Sequence, residues 1–124
     1  MRKLVYLVLL FISPLYLSAK TFNLISPDKN ISVNVDVAER ICYQVSHKGV
    51  VLLEKSPVSM LLSDGQAFGI RPRLLKSEVK KVNNIIEAPI YKRRNISDVY
   101  NELVLIFKGD YSIIFRAYDD GIAY

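Results

Sequence analysis

The sequence has one cysteine, Cys42, one histidine, His47, and no tryptophan. A single thiol rules out an intrachain disulfide, so the fold depends on its apolar core or on other protein. With one imidazole and one thiol, neither a histidine-based triad nor a Cys/His zinc cluster is expected. The five glycines are scattered singly through turn-like stretches, which leaves no glycine-rich phosphate loop. Sustained helical periodicity, internal repeats and low-complexity tracts are missing too. Charge of one sign is scarce: the formal +5 includes Arg2 and Lys3, and about +3 remains beyond them. The most basic part, from Arg71 to Arg94, has only Tyr91 close to its cations. It therefore lacks the aromatic rows of single-strand binders and reads as a solvated, lysine-protected edge. Nucleic acid is not an expected partner.

The N-terminus reads as a targeting segment rather than as fold. Arg2 and Lys3 precede an unbroken apolar run from Leu4 to Ile12, Ser13-Pro14 interrupts it, and Leu17-Ser18-Ala19 leads to Lys20. That order is the pattern of a secretory signal peptide over residues 1–19, cleaved between Ala19 and Lys20. The apolar stretch is about 14 residues, short of the roughly 20 that a spanning helix needs, and Pro14 breaks it. The expected location is periplasmic or secreted, with no stable membrane insertion after processing. The remaining 20–124 segment is one domain's worth of chain, able to bury roughly two-thirds of its unfolded surface.

Period-two alternation dominates that segment. Ile31, Val33, Val35 and Val37 alternate with Ser32, Asn34 and Asp36, and Ile41, Tyr43 and Val45 alternate with Cys42, Gln44 and Ser46. Both read as half-buried strands, with Cys42 a small packing residue. Val50 to Leu53 and Val58 to Leu62 are apolar runs too short for helices. Turn signals separate them: Pro27-Asp28-Lys29-Asn30, His47-Lys48-Gly49, Ser56-Pro57 and Ser63-Asp64-Gly65. Lys76 to Asn84 is expected as a strand with a polar outer face, and Ala88 to Ser97 as a loop. Tyr100 to Lys108 and Tyr111 to Tyr118 form a hairpin about a two-residue Gly109-Asp110 connection. That register sets Ile106 against Ile113, Val104 against Phe115 and Leu105 against Ile114. Apolar pairs on both faces predict a ribbon lying between two layers. Asp119-Asp120-Gly121 is a turn, with Asp119 and Asp120 closing it, and Ile122-Ala123-Tyr124 opens another strand, so a partial chain is expected.

The carboxylates do not assemble a site. No spacing among Glu39, Glu54, Glu78, Glu87 and Glu102 singles out the pair that glycoside hydrolysis requires. Glu102 reads as a strand end near solvent. Two adjacent aspartates supply too few oxygens for calcium. Tyr43 and Tyr111 fall at inward-looking positions, so tyrosine serves the core better than a sugar-stacking surface. The fragment thus carries no catalytic, cofactor-binding or metal residues of its own.

Leu24-Ile25-Ser26-Pro27-Asp28-Lys29-Asn30-Ile31 with Val33 and Val35 resembles the opening of glycoside hydrolase family 97, and so does Ser56-Pro57-Val58-Ser59-Met60 with Asp64-Gly65. The most specific stretch is Phe115-Arg116-Ala117-Tyr118-Asp119-Asp120-Gly121-Ile122-Ala123-Tyr124, similar to the end of one strand and the entry into the next in that family's N-terminal domain. The resemblance implies an all-β fold, a partial β-super-sandwich of the galactose-mutarotase-like kind with mostly antiparallel strands. It also implies an exported parent that hydrolyses α-glucosidic or α-galactosidic bonds of α-linked oligosaccharides. In such a parent a (β/α)₈ barrel follows the sandwich, carries the catalytic carboxylates and has calcium near its site. The present domain would be the scaffold for that barrel. The alternative is a non-catalytic carbohydrate-binding or adhesin-like β-sandwich, disfavoured by the absence of tryptophan.

Overall fold

The computed structural model describes residues 19–90, 92 and 94–124, and every regular element among them is a strand. In order they are β1 (Lys20–Ile25), β2 (Ile31–Val37), β3 (Ile41–His47), β4 (Val50–Val58), β5 (Met60–Leu61), β6 (Ala67–Phe68), β7 (Leu74–Glu87), β8 (Asn95–Phe107), β9 (Tyr111–Ala117) and β10 (Ile122–Ala123). They form two four-stranded sheets, β1-β2-β3-β4 and β10-β9-β8-β7, and a small β5-β6 pair. All pairings are antiparallel. The fold is an all-β sandwich, as expected.

The alternation explains the core. Leu24 of β1, Val33, Val35 and Val37 of β2 and Ile41 of β3 meet Leu103, Leu105 and Phe107 of β8 and Phe115 and Ala117 of β9 across the gap between the sheets. Tyr43 and Tyr111 pack against this cluster from the inward-looking positions predicted for them. On β2 the pattern is strict, apolar residues buried and polar ones half-buried, because successive side chains point to opposite sheet faces.

The sheets are offset. β1 lies over β8 and β9 and β2 over β9, whereas the outermost strands β4 and β7 have their substantial contacts with β3 and β8 alone. Val50, Leu52 and Met60 are therefore exposed at one edge, and Val79 and Ile85 at the other.

Several local expectations change. The β8–β9 register pairs Phe107 with Tyr111, Leu105 with Ile113, Val104 with Ile114 and Leu103 with Phe115. The connection is thus three residues, Lys108 to Asp110, not two. Gly109 and Asp110 both take positive φ, as a three-residue turn with a left-handed residue allows. The one-residue slip sorts the side chains: Leu103, Leu105, Phe107 and Phe115 go to the core, while Ile106 and Ile114 stay 37% and 38% exposed on the outer face. The ribbon is covered on one side rather than between two layers. Ser56-Pro57 is not a turn but part of β4. Proline is tolerated there because β4 is an edge strand with no neighbour requiring its N–H. The loop expected over Ala88 to Ser97 is shorter, since β8 starts at Asn95 and pairs with β7 back to Glu87. Backbone ladder bonds extend this hairpin through residues whose side chains show no alternation.

Candidate functional site

Residues 1–18 lie outside the described residues, so the structure bears on the signal segment only at its end. Ala19 is exposed, and Lys20 opens β1 opposite Val37.

Two polar clusters stand out. The first joins the ends of the sandwich. In the β1–β2 turn, the Ser26 hydroxyl donates to Asp28 Oδ1 at 2.6 Å and accepts from the Ile31 N–H at 3.0 Å. Asn30 donates its N–H to Asp28 Oδ1 and its side-chain amide to Asp28 Oδ2. The Asp28 N–H in turn donates to Asp119 Oδ1 at 2.8 Å, across 91 residues of sequence. The stretches Ser26 to Asn30 and Tyr118 to Gly121, far apart in sequence, are therefore one clasp. Asp119 does not close its own turn; the Tyr118 N–H to Gly121 carbonyl bond does that. The Ser26 hydroxyl and the Asn30 N–H stabilise the ionised Asp28 and bring its pKa down to about 2.

These donors engage both oxygens of Asp28 and Oδ1 of Asp119, and the arrangement does not fit calcium, which takes six to eight oxygens. Among the described residues no group of three or more His, Cys, Asp or Glu side chains is placed to hold a metal ion. Cys42 is half-buried on β3, in register with Asp36 and Pro57.

The second cluster lies on the outer face of the β7–β10 sheet. The Arg116 Nε donates to Glu102 Oε2 at 2.8 Å, and its guanidinium sits 4.7 Å from the centre of the Tyr100 ring. Tyr118 packs against Tyr100 at 5.0 Å. Glu102 is only 8% exposed, contrary to its reading as a solvent-facing strand end. Its partner lies 14 residues away and becomes visible only once the β8–β9 register is known.

An open groove of about 640 Å³ runs between β4, the β5–β6 pair and β9, lined by Ile41, Val58, Met60, Phe68, Ile113 and Tyr124. Its walls are mostly apolar, with Ser59, Ser112, Tyr111 and Tyr124 as the hydroxyl-bearing residues and no carboxylate among them. Among the described aromatic residues, Tyr124 is the one that is strongly exposed, at 64%. It tilts against Tyr43 and Phe115 and offers no row of rings for a sugar.

Among the described residues the offset antiparallel sandwich assembles no group of catalytic carboxylates. The model of the glycosyl-hydrolase 97 N-terminal family matches residues 24–124. The chain belongs to that family. A retaining α-galactosidase of Bacteroides thetaiotaomicron is 38% identical over 125 residues, which is 100% of this chain and 19% of that protein. A Glycoside Hydrolase Family 97 enzyme of Pseudoalteromonas, solved with panose, superposes with a TM-score of 0.70 at 23% identity, over 82% of this chain and 16% of its own. At that identity it speaks for the fold alone. A β-arabinopyranosidase crystal structure gives a TM-score of 0.68 at 27% identity, over 79% of this chain and 16% of its own. The chain thus spans about a fifth or less of the length of each of these proteins.

Proposed function

We propose that this chain is the leading part of an exported α-glycosidase, a scaffold on which a separate catalytic domain is carried. The observation that carries this reading is the match of the whole chain to only 19% of a retaining α-galactosidase, together with a fold that gathers no catalytic carboxylates. Residues 1–19 direct export and are removed between Ala19 and Lys20, which delivers the protein to the periplasm or the medium. The catalytic carboxylates and the calcium expected of such an enzyme belong to the remainder of the parent, in a barrel domain, and the substrate is an α-linked oligosaccharide. Further strands of the parent complete the sandwich. They cover the overhanging apolar side chains of β4 and β7, which residues 20–124 leave in water at a cost of about 25 cal/mol for each Å².

The test is hydrolysis of aryl α-galactosides and α-glucosides by the product of the complete reading frame and by residues 20–124 alone. The complete product is expected to turn over one of the two with calcium present, and the 20–124 segment neither. Turnover by the segment, or an inert complete product that binds glycans, would refute the scaffold reading.

A further inference from the structure

Two Asp-Gly dipeptides occur in the sequence, Asp64-Gly65 and Asp120-Gly121. In this dipeptide the aspartyl carboxyl is readily attacked by the next backbone nitrogen, because glycine has no Cβ to crowd the approach. The two copies are alike in composition, and the fold treats them differently. At Asp64-Gly65 both reacting groups are engaged. The Gly65 N–H donates to the Leu62 carbonyl at 3.0 Å, and Asp64 Oδ1 accepts from the Gln66 N–H at 2.9 Å. A further bond of 2.8 Å, from the Leu62 N–H to the Gln66 carbonyl, closes the loop around them. For the attack, the nitrogen must leave one partner and the carboxyl the other. At Asp120-Gly121 the closing bond runs from the Tyr118 N–H to the Gly121 carbonyl at 2.8 Å and does not use the Gly121 N–H. Asp120 is exposed, and among the described residues no hydrogen bond holds its carboxylate or the Gly121 N–H. The clasp fastens the Asp119 carboxylate to the Asp28 N–H and leaves the next carboxylate free.

We propose that Asp120-Gly121 is a site of spontaneous isoaspartate formation, and that Asp64-Gly65 is held against the same reaction by its hydrogen bonds. The Gly121 nitrogen adds to Cγ of the protonated Asp120 carboxyl. A C–N bond forms, the carboxyl hydroxyl leaves as water with the proton from nitrogen, and a succinimide ring results. Water then opens the ring. Addition at the main-chain carbonyl of Asp120 breaks its bond to the Gly121 nitrogen, and the chain now runs through Cγ. No oxidant, reductant or cofactor enters. The backbone between Tyr118 and Gly121 is then one carbon longer, at a turn closed by a single bond. β10 pairs with β9 directly beyond that turn, Ile122 with Ala117 and Ala123 with Arg116. The added carbon therefore loosens β10 and, with it, the contact of the Tyr124 ring with Tyr43 and Phe115.

The test is ageing of the full-length protein in warm neutral buffer made with heavy-oxygen water. Digestion and mass spectrometry with electron-transfer fragmentation then separate isoaspartate from aspartate and count the oxygen taken from solvent. The expected result is about tenfold or more isoaspartate at 120 than at 64, the factor set by the two bonds that the 64–65 pair must surrender. Equal yields, more at 64, or no labelled isoaspartate at 120 overturn the proposal. Asp120→Glu keeps the charge but requires a larger, slower-forming ring, and is expected to remove the signal at 120. Gly121→Ala is accommodated by the fold, since a Cβ there meets nothing within 4 Å, yet it crowds the attacking nitrogen and should slow the reaction severalfold. An unchanged rate in Gly121→Ala would refute attack by that nitrogen. Ageing should also lower the melting temperature of the unmodified protein more than that of Asp120→Glu, and equal falls would refute the loosening of β10.

Discussion

Replacing Phe115 by alanine tests the placement of the core. Phe115 is 1% exposed, stands opposite Leu103 in the β8–β9 register, and meets the tilted Tyr43 ring at 5.7 Å. Emptying a fully buried phenylalanine site removes about 3–5 kcal/mol, transfer and cavity terms together, of which about 1 kcal/mol is the aromatic pair. Tyr124 also touches the ring, at 5.8 Å, but it is 64% exposed and adds little. Phe115→Leu keeps most of the volume and should cost no more than about 1.5 kcal/mol. The neighbouring Ile114 points the other way, so Ile114→Ala in the 20–124 segment should cost less than about 1 kcal/mol. Urea unfolding followed by tyrosine emission is the assay, unobscured because the chain has no tryptophan. A loss below about 1 kcal/mol for Phe115→Ala, or equal losses at 114 and 115, would refute the assignment of these residues to opposite faces.

Gly69 has φ of 84°, and a Cβ there would run into the Val58 carbonyl oxygen and lie 3.2 Å from the Ser59 Cα. Gly69→Ala should destabilise by about 2–4 kcal/mol, read as a fall in the urea midpoint, whereas Gly65→Ala, with φ of 87° but open space around it, should cost only its backbone strain, about 1 kcal/mol. Asp119→Ala removes the acceptor of the Asp28 N–H and should cost about 1 kcal/mol, with Asp119→Asn largely conserving the bond; equal losses for the two would refute the clasp. The folded-state pKa of Asp28 lies near 2, below its ordinary value of 3.8, and that of Asp36 is also lowered, chiefly by its hydrogen bond from Lys55. Both groups thus add stability that is present above their ordinary titration range and lost as the pH falls through the lowered folded-state value, which for Asp28 is about 2. Acid titration should show that loss, and Asp28→Asn should flatten it.

The strands of the first sheet are legible in the sequence because their two faces meet different surroundings. Ile31 to Val37 alternates without a break, and burial follows the same alternation. The β8–β9 hairpin is legible in place but not in register. Gly109-Asp110 has the composition of a two-residue turn, while Lys108, Gly109 and Asp110 together make the connection, so every cross-strand partner moves by one. The long β7–β8 hairpin is only partly legible, since in its distal half Ile85, Ile86 and Ile96 stand among polar residues without alternation. Glu102 misleads for a related reason. A carboxylate amid apolar neighbours looks like a strand end until Arg116 is known to stand beside it. The clasp brings together two of the three stretches that carry the family resemblance, yet the Asp28–Asp119 bond itself has no signature in local sequence.

The apolar run of β4 marks the boundary of what residue patterns can say. Val50, Val51, Leu52 and Leu53 are as hydrophobic as the apolar positions of β2, yet they are 64%, 42%, 68% and 36% exposed, against 7% or less for Ile31, Val33, Val35 and Val37. Composition does not separate the two strands; topology does. β2 has β9 across from it, and β4, at the far edge of an offset sheet, has no strand opposite it among the described residues. The protection of this edge against wrong pairing is confined to its second half, in Glu54, Lys55 and Pro57. The β7 edge has that protection in Lys76, Lys80 and Lys81. The β7 edge nonetheless leaves Leu75, Val79, Ile85 and Ile86 exposed as well, so both edges combine charge with uncovered aliphatic surface, and position in the offset sheets, not residue type, sets their exposure.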